Sequence, residues 1–267
     1  MSINYPIIFS VLLPNQLNFK QLYLVNKEEN IIVVENLVKK FGNFVANDNL
    51  NFEVKKGEIF GFLGANGAGK TTAIKILSGL SKPTSGKAIV AGFDVSRETD
   101  EVKKNIGYMS QRFSLYDDLT VKENFKFYGG IYRLSNKEIR EKTEFMLNKL
   151  GMTDYRDMLL KKIPLGWKQK LAFSVAGMHD PAVVFLDEPT GGVDPITRRQ
   201  FWEMIYGKAD EGTTVFVTTH YMDEAEYCQR VSIMAEGRIE ALDTPAMLKK
   251  QFGVKTMDEV FVKIARV

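Results

Sequence analysis

A glycine-rich segment that can bind phosphate lies in the first third of the chain, between a predicted strand and a predicted helix. The segment Gly64-Ala-Asn-Gly-Ala-Gly-Lys-Thr71 fits the eight-position phosphate-loop pattern. Glycines let backbone N–H groups converge on phosphate oxygens, and the N-terminus of the following helix adds a favourable dipole. We expect Lys70 to reach the β- and γ-phosphates of a nucleotide and the Thr71 hydroxyl to ligate Mg²⁺. An ordinary glycine-rich turn is the alternative, and the flanking elements argue against it. The predicted nucleotide-binding residues in this segment are Gly64, Ala65, Asn66, Gly67, Ala68, Gly69, Lys70, Thr71 and Thr72.

Two carboxylates follow a second apolar strand. The segment Val183-Val-Phe-Leu-Asp187-Glu188 is predicted to be a buried strand with both acidic residues at its end. Beside a phosphate loop, Asp187 is suited to hold Mg²⁺ through water, and Glu188 to orient and polarise an attacking water. A further buried strand ends at His220, at the sheet edge where ligands gather in open α/β folds. The alternatives are a solvated acidic turn and a histidine that serves only packing.

The elements that must position these residues alternate between strands and helices, which favours parallel βαβ units and an α/β fold. The predicted strands cover residues 31–38, 51–54, 58–63, 87–90, 106–109, 182–186, 214–218 and 231–235. Helices are predicted over 71–78, 196–209 and 222–228, with a last one that begins near Thr256. Between them, residues 113–178 are predicted to form an inserted helical subdomain, because Thr120–Glu123 and Ser135–Glu138 both have capping-box spacing.

Composition excludes several classes of protein. The 267 residues carry a net charge of +3, with one cysteine and two histidines. A disulfide framework and a Cys/His zinc site are therefore excluded, and no dedicated basic arm is present. No apolar run approaches the roughly 20 residues that cross a bilayer, so we do not expect an integral membrane protein. Residues 1–30 are expected to be a poorly ordered extension or a misplaced start, and residues 31–267 a single domain.

Taken together, the motifs resemble the nucleotide-binding subunit of an ATP-binding-cassette transporter, over about residues 31–267. Phe41 stands where the family places an aromatic ring that stacks on adenine, and Gln111 matches the glutamine loop. Asp194 matches the loop that crosses to the opposite subunit, and His220 matches the switch histidine near the γ-phosphate. The resemblance implies an α/β fold with a RecA-like P-loop NTPase core, an antiparallel β subdomain and an inserted α-helical subdomain.

The resemblance also implies the chemistry of these residues. ATP and Mg²⁺ are the implied cofactors, and in the family the glutamine senses Mg²⁺ and contacts the membrane subunit. The implied catalytic residues are Lys70, Gln111, Glu188 and His220, and the implied Mg²⁺ ligands are Thr71, Gln111 and Asp187.

Three further segments resemble multidrug-type exporter ATPases of the ABC-2 class. They are Gly92-Phe-Asp-Val95, residues 114–124, and Thr219-His-Tyr-Met-Asp-Glu-Ala-Glu226. Such subunits energise a separate membrane permease. The implied location is therefore peripheral, on the cytoplasmic face of the cell membrane.

The family's signature, usually Leu-Ser-Gly-Gly-Gln, is altered in this chain. The aligned residues are Ile163-Pro-Leu-Gly-Trp167. Pro164 has neither a hydroxyl nor a backbone N–H, so two potential γ-phosphate contacts are absent. Gly166 keeps a backbone N–H that can approach a nucleotide closely. Trp167 is expected to pack against the neighbouring helix rather than to stack on a nucleotide.

This alteration bears on the partner of the chain. In the family, two subunits sandwich two ATP molecules, and each site joins the phosphate-binding motifs of one subunit to the signature of the other. A weakened signature beside an intact phosphate site predicts a heterodimer with a second ABC ATPase subunit. A homodimer with an adapted signature is the competing interpretation.

Two alternative functions compete with transport. A soluble ABC ATPase that acts on ribosomes or DNA is disfavoured, and no nucleic-acid partner is predicted. Ribosome-acting relatives usually carry two cassettes in one chain, and DNA-repair relatives insert a long coiled coil between the positions of Lys70 and Asp187. A regulatory nucleotide-binding subunit with little turnover is favoured by the altered signature but disfavoured by the intact set of Asp187, Glu188 and His220.

Overall fold

The computed structural model describes residues 30–111 and 115–265. The expected extension, residues 1–30, lies outside the described residues except for Asn30, where the first strand begins. The strands are β1 (Asn30–Phe41), β2 (Phe44–Lys55), β3 (Ile59–Gly64), β4 (Ser85–Val90), β5 (Phe93–Asp94), β6 (Ile106–Met109), β7 (Val183–Asp187), β8 (Thr214–Thr219), β9 (Arg230–Ala235) and β10 (Arg238–Asp243). The α-helices are α1 (Lys70–Leu77), α2 (Thr99–Asn105), α3 (Val121–Ile131), α4 (Asn136–Leu150), α5 (Leu165–Ala176), α6 (Pro195–Asp210), α7 (Pro245–Phe252) and α8 (Met257–Ala265).

A six-stranded sheet in the order β10-β9-β3-β8-β7-β6 forms the centre of the molecule. Its pairs are parallel except for β9 and β10, which pair antiparallel. Alternate side chains of a strand face opposite sides of the sheet. Phe60 and Phe62 of β3 accordingly share one face with Phe216 of β8, at ring-centroid distances of 5.5 and 5.2 Å. Because the central strands are buried on both faces, they read as continuous apolar runs.

A second sheet has four strands in the order β2-β1-β4-β5, all paired antiparallel. It packs against the central sheet through Phe52 of β2, whose ring stacks on Phe60 at 5.8 Å. Fixing the long β1–β2 hairpin beside β3 brings the start of β2 close to the phosphate loop. Asn47 of β2 donates a hydrogen bond to the Gly69 carbonyl at 3.1 Å.

Three helices, α3, α4 and α5, are inserted between β6 and β7. Thr120 and Ser135 cap α3 and α4, and both capping boxes form in full. Gly151 ends α4 with φ of 66°, in the left-handed region that glycine adopts without strain. This part of the chain ends in α5, whose N-terminus carries the altered signature.

The structure differs from the sequence-based expectations in a few elements. Residues 222–228 were expected to be a helix, and Met222–Tyr227 form a 3₁₀-helix. The hairpin strand β2 begins at Phe44, well before the predicted 51–54, although Asn and Asp are depleted in strands. Pairing with β1 along its length overrides that local preference. The short elements β5, α2, β10 and α7 have no counterpart in the prediction. Among the residues described, no helix combines the length and the apolarity that crossing a membrane requires.

Candidate active site

The phosphate loop connects the end of β3 to the N-terminus of α1. Gly69 caps α1 with φ of 101°, a conformation that side chains rarely adopt. A Cβ atom built on Gly69 would lie 2.3 Å from the Ala46 carbonyl oxygen, so the loop needs glycine here for both space and backbone geometry. Ala65, Asn66 and Gly67 are exposed and present the loop to solvent.

Lys70 turns back over the loop. Its Nζ atom donates hydrogen bonds to the carbonyl oxygens of Gly64 at 2.7 Å and Ala65 at 3.1 Å. The side chain is 4% exposed, and burial lowers the pKa of Lys70, although the nearby Glu188 carboxylate opposes that shift. The ammonium group is thus held where it can exchange these carbonyl oxygens for phosphate oxygens.

Asp187, at the end of β7, lies beside the first turn of α1. Its Oδ1 atom accepts hydrogen bonds from the Thr71 hydroxyl at 3.2 Å and the Thr218 hydroxyl at 2.7 Å. Burial raises the pKa of Asp187 despite these two donors. A carboxylate and a hydroxyl side by side are oxygen ligands of the kind that Mg²⁺ prefers, so Thr71 and Asp187 fit this ion. Among the described residues, no cluster of three or more Asp, Glu, His or Cys forms a metal cage.

Glu188 lies at the centre of the site. Its Oε2 atom accepts a hydrogen bond from Gln111 Nε2 at 3.0 Å and lies 2.9 Å from Nδ1 of His220. Its Oε1 atom is 3.4 Å from Nζ of Lys70. These partners come from the ends of β6, β8 and the phosphate loop, so the parallel sheet brings four residues of the predicted catalytic set to one point.

The backbone of Glu188 is also unusual. Its φ of 50° places it in the left-handed region, which costs a non-glycine residue about 1–3 kcal/mol. The Thr218 hydroxyl accepts a hydrogen bond from the Glu188 backbone N–H at 3.0 Å. Thr218 therefore contacts both Asp187 and Glu188, a supporting role that sequence reasoning missed. The Thr-Thr-His segment at the end of a strand was the available signal.

Asp194 and Gly166 lie at the N-termini of two neighbouring helices, α6 and α5. Asp194 caps α6, where its carboxylate accepts hydrogen bonds from the N–H groups of Ile196 and Thr197 and from the Thr197 hydroxyl at 2.6 Å. These hydrogen bonds lower the pKa of Asp194. A Cβ atom built on Gly166 would lie 2.5 Å from Cγ2 of Thr197, so the first turns of α5 and α6 are in close contact.

The altered signature forms the N-terminus of α5. Pro164 occupies the N-cap position and supplies no side-chain hydrogen bond. Trp167 is 37% exposed, and its expected packing against the neighbouring helix stays a prediction. Nζ of Lys170 lies 4.3 Å from the centroid of the Trp167 ring and donates a hydrogen bond to Gln200 of α6. Lys170 therefore contacts both the tryptophan and α6.

Phe41 ends β1 at the tip of the β1–β2 hairpin. Its ring is 55% exposed, and Nζ of Lys39 lies 5.0 Å from the ring centroid. An exposed aromatic face of this kind is available to a flat ligand.

A parallel sheet whose carboxyl edge holds a glycine-rich loop, a buried aspartate and a neighbouring glutamate is the arrangement of phosphate-loop nucleotide-binding proteins. The sequence model of the ABC transporter family matches residues 47–191. The chain belongs to this family, as the resemblance predicted, and the predicted fold class is confirmed by its structural relatives.

Three relatives illustrate the comparison. The probable multidrug ABC transporter ATP-binding protein YbhF of Escherichia coli (strain K12) is 45% identical over 241 residues, which are 88% of this chain and 42% of YbhF. The linearmycin resistance ATP-binding protein LnrL of Bacillus subtilis (strain 168) is 35% identical over 233 residues, 87% of this chain and 75% of LnrL. The dimeric, ADP- and phosphate-bound ATP-binding cassette MJ0796 superposes with a TM-score of 0.72 at 26% identity, covering 80% of this chain and 98% of that one. The chain thus spans less than half the length of YbhF.

Proposed function

We propose that this chain binds ATP with Mg²⁺ at its phosphate loop and hydrolyses it to drive export through a separate permease. Lys70 would neutralise charge on the β- and γ-phosphates, and His220 would contact the γ-phosphate. Thr71, Asp187 and Gln111 would hold Mg²⁺, which supplies further neutralisation of phosphate charge when it is bound. Glu188 would orient the attacking water and accept its proton.

The observation that carries this proposal is the convergence of Gln111, His220 and Lys70 on the Glu188 carboxylate, at distances of 2.9 to 3.4 Å. A glutamate enclosed in this way is oriented before any ligand binds. It contacts the residues that would bind the γ-phosphate and the metal, so a water between them would lie within its reach. The strained backbone of Glu188 adds support, since such strain concentrates at functional sites.

The variant Glu188→Gln tests the proposal. We expect ATP turnover to fall at least about 100-fold, because an amide cannot accept the proton that a general base removes. Equilibrium binding of ATP, measured by fluorescence titration, is expected to persist. In the presence of the second ABC ATPase unit, the ATP-bound dimer is expected to accumulate in size-exclusion chromatography. The matched control is Glu203→Gln on α6, where Glu203 is exposed and pairs with Arg199 at 3.7 Å. Normal turnover by the Glu188 variant would remove this residue from the catalytic role.

The proposed attachment to a permease is supported by an exposed apolar surface on α3. Phe127 and Ile131 lie one turn apart on α3, and the ring of Tyr116 packs on Phe127 at 4.9 Å. Ile131 and Leu80 also line a groove of about 400 Å³. Exposed apolar patches of this kind mark interaction sites. We place this surface against the permease, on the cytoplasmic face of the cell membrane, with multidrug-type export as the process.

The proposed partner on the nucleotide side is a second ABC ATPase unit. Support comes from Pro164, which caps α5 without a side-chain hydrogen bond, while the residues of the proposed phosphate site contact one another, Lys70 with Glu188 and Thr71 with Asp187. The heterodimer interpretation places an intact signature of another cassette over this phosphate site. A homodimer would instead place Pro164 over both.

The composition of the native assembly tests both partner proposals. The complex is purified in mild detergent from the source cells through a tag on this chain, and its subunits are counted by native mass spectrometry. We expect one copy of this chain, one further ABC ATPase unit and a membrane-spanning permease, with ATP turnover that exceeds that of the isolated chain. Two copies of this chain would contradict the heterodimer. A complex that contains a permease but does not hydrolyse ATP would favour the alternative of a regulatory nucleotide-binding subunit. The altered signature supports that alternative.

A further inference from the structure

Arg198 connects the first turn of α6 with the segment that follows His220. The guanidinium carbon of Arg198 lies 4.3 Å from the centroid of the Tyr221 ring. Its Nη1 atom donates to the carboxylate of Asp223 at 3.4 Å, and its side chain is mostly buried. A planar guanidinium over an aromatic face restricts both groups more than a lysine would. The contact therefore fixes the ring of Tyr221 relative to α6.

Tyr221 in turn contacts the histidine of the active site. The rings of Tyr221 and His220 lie 4.1 Å apart between centroids, with an interplanar angle of 35°. The backbone N–H of Tyr221 also donates to the Thr219 hydroxyl at 3.0 Å, which ties the turn to the end of β8. His220 is therefore flanked by the Tyr221 ring and, at Nδ1, by the Glu188 carboxylate at 2.9 Å.

A buried carboxylate links the same arginine to the strand end that carries the catalytic glutamate. Glu224 is 0% exposed and accepts a hydrogen bond from the Thr190 hydroxyl at 2.5 Å. Nε of Arg198 lies 3.6 Å from Oε1 of Glu224, too far for a hydrogen bond, and this buried nitrogen has no hydrogen-bond partner among the described residues. A buried, incompletely bonded charge is poor evidence for a stabilising role. The contacts of Arg198 are better explained by a role in holding neighbouring side chains in place.

We propose that Arg198 is a positioning residue for the hydrolytic reaction, acting on His220 through the ring of Tyr221. Because Arg198 lies on the first turn of the helix that Asp194 caps, it transmits the position of that helix to His220. The inference rests on the proposed function, in which His220 contacts the γ-phosphate. It adds a requirement for Arg198 and Tyr221 in turnover, without a contact between either residue and the nucleotide.

Steady-state ATP turnover of the complete assembly tests this inference, with the variants Arg198→Ala, Tyr221→Ala and Tyr221→Phe. We expect each alanine variant to lower kcat about 10-fold, since a small misplacement of a reacting group costs up to about 100-fold. KM for ATP and the affinity for ADP are expected to stay within about 2-fold, because neither residue touches the phosphate loop. Tyr221→Phe keeps the ring and is expected to retain turnover. The double variant Arg198→Ala with Tyr221→Ala is expected to lose no more kcat than either single alanine variant, since both residues act through one contact.

Arg199→Ala is the matched control, because Arg199 is the next residue of α6, is exposed, and pairs with Glu203. Thermal unfolding of every variant separates misfolding from misplacement. Equal losses of kcat and nucleotide affinity, or additive losses in the double variant, would assign Arg198 to packing and overturn the inference. If Glu188→Gln abolishes turnover while Arg198→Ala leaves kcat unchanged, the positioning role fails and the proposed function stands. If Glu188→Gln keeps normal turnover, the proposed function itself fails.

Discussion

The phosphate side of the molecule and its signature side are built in opposite ways. On the phosphate side, Lys70 is 4% exposed and bonded to two carbonyl oxygens, and the buried Asp187 accepts two hydroxyl hydrogen bonds. On the signature side, Leu165 is 48% exposed, Trp167 is half-exposed, and Pro164 offers α5 no side-chain cap. One region is assembled within the chain, whereas the other presents apolar side chains to the outside. Under the proposed function, the phosphate side would face the signature of a second cassette, and the apolar signature side would face the phosphate site of that cassette.

The two regions are nevertheless mechanically connected. Gly166 of α5 packs against Thr197 of α6, and Thr197 is bonded to the capping residue Asp194. From the same helix, Arg198 reaches the ring of Tyr221. A displacement of the signature helix by a partner would therefore reach α6 first and the active site afterwards.

Gly166→Ala is expected to have the largest effect on stability, and it tests whether the signature side can be changed without changing the phosphate side. The added Cβ would lie 2.5 Å from Cγ2 of Thr197. Threonine is stiff at χ1, and its hydroxyl is held by Asp194 at 2.6 Å, so Cγ2 cannot rotate away cheaply. We expect the free energy of unfolding to fall by about 1–3 kcal/mol, as is usual for overpacking. Chemical denaturation measures the change, and ATP binding at the phosphate loop is expected to persist.

Two further variants make that prediction specific. Gly207→Ala changes a glycine of α6, the helix that carries Thr197. An added Cβ there meets no atom of the described residues within 4 Å, so helix propensity predicts that the free energy of unfolding rises by up to about 1 kcal/mol. Thr197→Ser removes Cγ2 but keeps the hydroxyl, so it is expected to restore stability to Gly166→Ala. If the folded Gly166→Ala variant no longer bound nucleotide, the phosphate side would depend on the signature side, and the contrast between the two regions would be wrong.

Several parts of this architecture follow from local patterns. The phosphate loop, the acidic strand end and both capping boxes are encoded in a few adjacent residues, because glycine conformation, strand burial and N-cap hydrogen bonds are local effects. Gly151 ends α4 for the same reason. Gln111 and His220 lie far apart in sequence, and the parallel sheet places them together because both follow strands that point the same way.

Other parts depend on contacts that no local pattern reveals. Lys170 lies over the Trp167 ring and also donates a hydrogen bond to Gln200 of α6, two contacts that the residue types alone do not predict. The backbone of Glu188 at φ of 50° has no signature in residue type. Arg198 and Tyr221 read as surface residues of a helix and a turn, and only the packing of α6 on the segment after β8 gives them a role.

The smallest effect, and the one that sharpens the comparison most, is expected from Pro164→Ser, which restores the serine that the family's signature usually carries. Residue 164 has φ of −59° and ψ of 150°, so a serine there can accept a hydrogen bond from the first turn of α5. That cap contributes about 1 kcal/mol, while loss of the proline restores unfolded-state entropy worth about 0.4–1 kcal/mol. The net gain in unfolding free energy is therefore expected to be no more than about 0.6 kcal/mol. Pro164→Ala is the matched variant, because it loses the proline without gaining a cap, and it is expected to be about 1 kcal/mol less stable than Pro164→Ser.

Denaturation curves of equal midpoint for the two variants would show that serine does not cap α5. If the serine variant also raised ATP turnover of the isolated chain while the alanine variant did not, the proline would be the element that limits the signature side.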